Sequence, residues 1–117
     1  MADDWLTLEV GDIAPEFEAE LTDSSIVKLA EILAGGEKVI LYFYPKDSTP
    51  GCTTQACDFR DNFGAFETSG YRIFGVSKDS AKSHAKFIEK QGLNFDLIVD
   101  KETDLHQKFG VWREKMN

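Results

Sequence analysis

Residues 17–21, Phe-Glu-Ala-Glu-Leu, alternate apolar and polar, and Ile26-Val-Lys-Leu29 follows a polar Thr-Asp-Ser-Ser turn. A period of two in short runs joined by turn residues predicts a small β-hairpin. Residues 29–33 read as a short helix that stops at Gly35-Gly36. Residues 38–44 then run Lys-Val-Ile-Leu-Tyr-Phe-Tyr without a break, which suits a central strand buried on both faces. A helix is expected from Thr49-Pro50 to near Gly70, a strand over 71–76, and a helix over 80–91 with Gly92 as its stop. A strand over 95–99 and a short helix over 103–109, with Leu105 and Phe109 one turn apart, complete the pattern. Strand, helix, strand, helix, strand implies a parallel sheet with helices on its faces and right-handed crossovers. The fold class is α/β, in one domain over residues 1–117.

Composition narrows the classes of function. Nine Phe, three Tyr and two Trp in 117 residues supply ample core material, which excludes intrinsic disorder. The longest apolar run, residues 39–44, is far short of the roughly 20 residues that span a bilayer. The start, Met-Ala-Asp-Asp-Trp, lacks the basic-then-apolar layout of a signal peptide, so a soluble cytoplasmic protein is expected. Net charge is −8, the wrong sign for holding nucleic acid through its phosphates. Residues 1–38 hold ten acids and two bases, whereas residues 39–117 hold eleven of each. The excess reads as a solvated acidic face near the N-terminus.

Two cysteines are too few for a secreted disulfide framework. Cys52 and Cys57, with His84 and His106 far downstream, fit no compact zinc spacing, and no metal is expected. Both histidines read as ordinary helix residues. Chemistry concentrates in Tyr44-Pro-Lys-Asp-Ser-Thr-Pro-Gly-Cys-Thr-Thr-Gln-Ala-Cys57. Thr49 suits a helix N-cap and Pro50 the first helical position, which makes Cys52 the third. Free N–H groups and the positive end of the helix dipole there favour a thiolate, so Cys52 is placed to be a nucleophile. Cys52, Ala56, Phe59, Phe63 and Phe66 recur at helical spacing on one apolar stripe, and Gly51 leaves room for a small substrate. The alternative, a buried structural cysteine, leaves the cap, Pro and Gly before it without a purpose. Cys57 lies off the stripe. An i,i+5 pair on an intact helix has Cα atoms about 8.6 Å apart, beyond the roughly 7 Å limit for a disulfide. A bond between them requires the first turns to unwind.

Pro45-Lys-Asp-Ser-Thr49-Pro-Gly-Cys52 resembles the Pro-x-x-x-Thr-x-x-Cys signature of peroxiredoxins, and the second Cys at +5 is similar to the Q type, the bacterioferritin comigratory proteins. Gly11-Asp-Ile-Ala-Pro15, Tyr42-Phe-Tyr-Pro-Lys46 and Phe109-Gly-Val-Trp112 extend the resemblance over nearly the whole chain. The resemblance implies a thioredoxin-like fold and a thiol-dependent peroxidase acting on hydrogen peroxide and organic hydroperoxides, with no metal, haem or flavin. It implies that Cys52 attacks the O–O bond and becomes a sulfenic acid, and that Cys57 resolves it to an intramolecular disulfide. It further implies that the Thr49 hydroxyl contacts thiolate and peroxide, that Pro45 shields the sulfur, and that thioredoxin or a similar dithiol reduces the disulfide.

The departure from the family pattern is at the C-terminus. Members continue with two more strands and a long helix, and the first of those strands pairs with the equivalent of residues 38–44 and carries a catalytic arginine. Nothing in this chain matches it, and neither Arg60 nor Arg113 inherits the role. The expectation is a domain incomplete at its C-terminus, whose open strand is covered by domain swapping or homo-oligomerisation. Two alternatives stay open beside the peroxidase: a dithiol redox protein without efficient peroxide turnover, and a non-catalytic fragment that associates through its sheet edge.

Overall fold

A computed structural model describes residues 10–110. Strand β1 (Glu18–Leu21) and strand β2 (Ile26–Lys28) form the hairpin, with Glu18 opposite Lys28. Helix α1 (Leu29–Ala34) leads into β3 (Lys38–Phe43). Helices α2 (Pro50–Asp61) and α3 (Phe63–Thr68) return the chain to β4 (Tyr71–Ser77). Helix α4 (Ala81–Gln91), strand β5 (Asp96–Val99) and helix α5 (Asp104–Lys108) follow. Helix α4 is capped at both ends, and its expected stop is in place. Ser80 Oγ accepts from the Ser83 amide at 3.2 Å, and Gly92 closes the helix at φ +62°, where a side chain would be strained.

The five strands lie in the order β2-β1-β5-β4-β3. Strands β3, β4 and β5 are parallel, as the alternating pattern predicts, and β1 adds to β5 antiparallel. The hairpin therefore extends the sheet. Side-chain alternation divides the core in two. Phe74, Val76 and Ile98 face Leu29, Ile32 and Leu105, with Val39, Leu41 and Phe43 packed alongside. On the other face Tyr42, Tyr44, Ile73 and Leu97 meet Cys52, Ala56 and Phe87. Close approach on that face requires Gly75, where a Cβ would lie 2.8 Å from Leu97 Cδ2 and 2.9 Å from the tip of the Tyr42 ring.

Two expectations are corrected. Strand β3 is not central: among the described residues its only strand partner is β4. Its alternate side chains enter the two core layers, which accounts for the unbroken apolar run, but side-chain pattern reports what lies above and below a strand and not beside it. The helix from Thr49 to Gly70 is also divided, at Asn62. The Asn62 side chain donates to the Asp58 carbonyl at 2.8 Å, the same acceptor its own amide uses, and such local competition ends regular helix. The apolar stripe survives the break, with Phe59, Phe63 and Phe66 all packed against the Cys52 side of the sheet.

Candidate active site

The parallel strands β3, β4 and β5 all end on one side of the sheet, where open α/β folds place their sites. Tyr44 leaves β3 there, with its amide donating to the Val76 carbonyl at 3.0 Å, and residues 45–49 form the loop into α2. Thr49 has extended N-cap backbone angles (φ −79°, ψ 152°) and Pro50 begins the helix, so Cys52 is its third residue. Cys52 is 9% exposed and packs among Tyr42, Tyr44 and Ala56. The Thr49 side chain departs from expectation. Its hydroxyl donates back to the Lys46 carbonyl at 3.0 Å, and α2 has no side-chain cap. The amide donors of the first turn are thus left to whatever anion forms there. Pro45 lies exposed at the start of the loop.

The loop owes its position to Asp47, which sequence reasoning left unassigned. This aspartate is buried, and its Oδ1 accepts from the Tyr44 hydroxyl at 2.5 Å. Its Oδ2 accepts from Ser83 Oγ at 2.8 Å and from His84 Nδ1 at 2.7 Å, while its amide donates to Asp79 Oδ2 at 2.7 Å. The other ring nitrogen, His84 Nε2, lies 2.9 Å from the Ile98 carbonyl. His84 is therefore no ordinary helix residue but a fully buried tie between the loop, α4 and β5. Burial pushes the Asp47 carboxyl up, but hydrogen bonds from His84, Tyr44 and Ser83 outweigh it and hold the group below the ordinary carboxylate range. Burial, with the Asp47 bond second, holds the Tyr44 phenol far above its own ordinary value. Ser48, next in the loop, is held at φ +65°, a conformation costing a non-glycine residue about 1–2 kcal/mol.

His106 is likewise buried and bonded, through Nδ1, to Asp100 Oδ2 at 2.6 Å. Asp100 also accepts the amides of Leu105 and His106, each at 3.0 Å, and so caps α5 from outside it. Only the recurrence of an Asp just past a strand end and a His in a later helix hints at either pair in the sequence. Ligand atoms of Asp47, Asp79 and His84 lie within 4.8 Å of one another, close enough for a cation. Each is already engaged by the hydrogen bonds above, which makes the cluster a fastening for the loop.

Both cysteines are free thiols. Cys57 is half-buried on the outer side of α2, with Sγ 3.6 Å from Gln91 Oε1 at the end of α4. Arg60, one turn further on, donates through Nη1 to the Gln91 carbonyl at 2.6 Å. Its guanidinium is thus held at the C-terminal end of α4, with Nε donating to Asp61 at 2.9 Å. Arg113 and Trp112 lie outside the described residues.

The fold and the sequence have clear counterparts. The family profile described as AhpC/TSA matches residues 10–117. Peroxiredoxin Bcp of Bacillus subtilis is 47% identical over 112 residues, covering 96% of this chain and 70% of that protein. Peroxiredoxin Bcp of Escherichia coli is 43% identical over 108 residues, covering 92% and 68%. Among solved structures, Xanthomonas campestris peroxiredoxin Q superposes with a TM-score of 0.79 at 41% identity, over 85% of this chain and 61% of that one. Mycobacterium tuberculosis BcpB gives 0.82 at 32% identity, over 91% and 68%. The chain thus spans 61–70% of the length of these four proteins. Family profile, relatives and fold agree: the chain belongs to the AhpC/TSA family, with the thioredoxin-like α/β fold of the Bcp or Q-type peroxiredoxins, which are thiol-dependent peroxidases.

Proposed function

We propose that Cys52 is the nucleophile of hydroperoxide reduction in this chain and that Cys57 resolves the product. The observation carrying this reading is the position of Cys52, third in a helix with no side-chain cap, packed against the ends of parallel strands and three residues after Thr49. The first-turn amides and the positive end of the helix dipole stand where negative charge develops during the reaction. The thiolate attacks the terminal oxygen of hydrogen peroxide or an organic hydroperoxide. The O–O bond breaks, an S–OH bond forms, and the leaving oxygen takes a proton to depart as water or alcohol. The Thr49 hydroxyl, whose proton is engaged by Lys46, offers its lone pairs to the O–H of the incoming peroxide. Pro45, at the mouth of the same loop, takes the part of limiting water at the sulfur.

Cys57 then condenses with the sulfenic acid, releasing water and forming the Cys52–Cys57 disulfide once α2 has opened. A dithiol protein of the thioredoxin type returns both thiols by exchange. That cycle suits a reducing compartment such as the cytoplasm, and among the described residues no helix is long and apolar enough to cross a membrane. Single-turnover peroxide consumption tests the assignment. Cys52→Ser should consume none, and Cys57→Ser should consume one equivalent while forming no intramolecular disulfide. A Cys57→Ser protein that consumed none while the wild type did would overturn the two roles.

A further inference from the structure

The proposed cycle requires α2 to open between Cys52 and Cys57, and the contacts along that helix differ on the two sides of Cys57. After Cys57 the helix is pinned twice. On the inner side Phe59 stacks on Tyr42 with ring centroids 4.6 Å apart and packs edge-on to Phe95. On the outer side Arg60 is held by the turn between α4 and β5: its Nη1 donates to the Gln91 carbonyl at 2.6 Å, and its own carbonyl accepts from Asn94 Nδ2 at 3.2 Å. Before Cys57 the polar bonds are local, from Thr54 Oγ1 to the Pro50 carbonyl and from the Thr53 amide to the Thr49 carbonyl. Cys57 itself is tied to α4 by one weak bond, from Sγ to Gln91 Oε1 at 3.6 Å.

We infer that Arg60, clamped by Gln91 and Asn94, is the fixed end of the opening segment, and that the Gln91 side chain is a positioning residue that holds Cys57 back from Cys52. The inference rests on Cys57 being the resolving thiol. In the resolving step the Cys57 sulfur attacks the sulfur of the Cys52 sulfenic acid. The S–O bond breaks as the S–S bond forms, and the hydroxide released takes the Cys57 proton to leave as water. The hydrogen bond from the Cys57 thiol to Gln91 Oε1 has to break first, so Gln91 sets part of the barrier. The two contacts of Gln91 are separable, because the side chain takes Cys57 and the backbone carbonyl takes Arg60. Gln91→Ala removes the first and keeps the second.

The test is the rate of disulfide formation after one equivalent of hydrogen peroxide, followed by rapid thiol blocking and intact mass. Gln91→Ala should form the disulfide about two- to fivefold faster than wild type, as fits the loss of one weak hydrogen bond. Gln91→Glu, which places a stronger acceptor and a negative charge beside Cys57, should form it more slowly. A general structural role for the position would move both variants in the same direction, and that result, or unchanged rates, overturns the inference. A wild-type chain that formed no disulfide would instead remove the resolving role of Cys57 itself. In the oxidised wild type, amide exchange should show residues 50–58 exposed and residues 61–68 protected. Asn94→Ala should let exposure spread past Arg60, and protection unchanged by that substitution would contradict a fixed end there.

Discussion

Tyr42, in β3, and Tyr44, just past its end, show how two neighbouring phenols carry different loads. Both rings lie in the same core layer, 5.6 Å apart between centroids. The Tyr44 hydroxyl is bonded to the Asp47 carboxylate, whereas the buried Tyr42 hydroxyl has no hydrogen-bond partner among the described residues. Burial, with the neighbouring Cys52 second, pushes the Tyr42 phenol well above its ordinary value, so it stays neutral. Tyr44→Phe should therefore cost about 1.5–3 kcal/mol, the range for a bond to a charged group, while Tyr42→Phe should be neutral or stabilising. Urea unfolding of the two variants decides this, and an equal loss in both would show that the hydroxyls are not distinguished by their partners. The sequence placed Pro50 first and Cys52 third in α2 because helix starts are local and follow residue by residue from the chain, although the Thr49 side chain turns back to Lys46 and does not cap the helix. It did not reveal Asp47 and His84, whose meaning lies in a contact across 37 positions that no local pattern records.

At the scale of elements, the hairpin, α1, β4, α4, β5 and α5 were legible because each carries its own period and stop signal. The misreading of β3 and the break at Asn62 share a cause: lateral strand order and side-chain competition for a carbonyl are not periodic in sequence. Strand β3 leaves one edge without a strand among the described residues, and such an edge is a template for pairing. The expected outcome is self-association or strand exchange through β3, read as a concentration-dependent mass in size-exclusion chromatography with light scattering. A folded monomer at every concentration would count against it.

At the scale of the molecule, two Asp–His pairs fasten the site end of the sheet, at 2.7 Å for Asp47 with His84 and 2.6 Å for Asp100 with His106. Burial raises the Asp100 carboxyl, but hydrogen bonds from His106 and two amides overcome it, so both aspartates sit below the ordinary carboxyl range when folded. A carboxyl that is more acidic in the folded than in the unfolded chain stabilises the fold above its unfolded value of about 3.9. That stabilisation is lost as pH falls from there through the lower folded value. Thermal unfolding should show a plateau above about pH 5 and a steep decline below about pH 4. Asp47→Asn should lower the plateau and flatten the decline, and a wild-type midpoint unchanged down to pH 2.5 would contradict the account. Removing one partner of such a buried pair, as in His84→Leu, typically costs about 3–5 kcal/mol.

The most direct test of the central claim is the intact mass of the 117-residue chain after one equivalent of hydrogen peroxide and thiol blocking. Loss of two hydrogens with no blocking group attached is the predicted result, because it requires Cys52 to be oxidised and Cys57 to close on it. Two blocked thiols and unconsumed peroxide would contradict it, and would show that Cys52, despite its place in α2, does not act as the nucleophile in this chain.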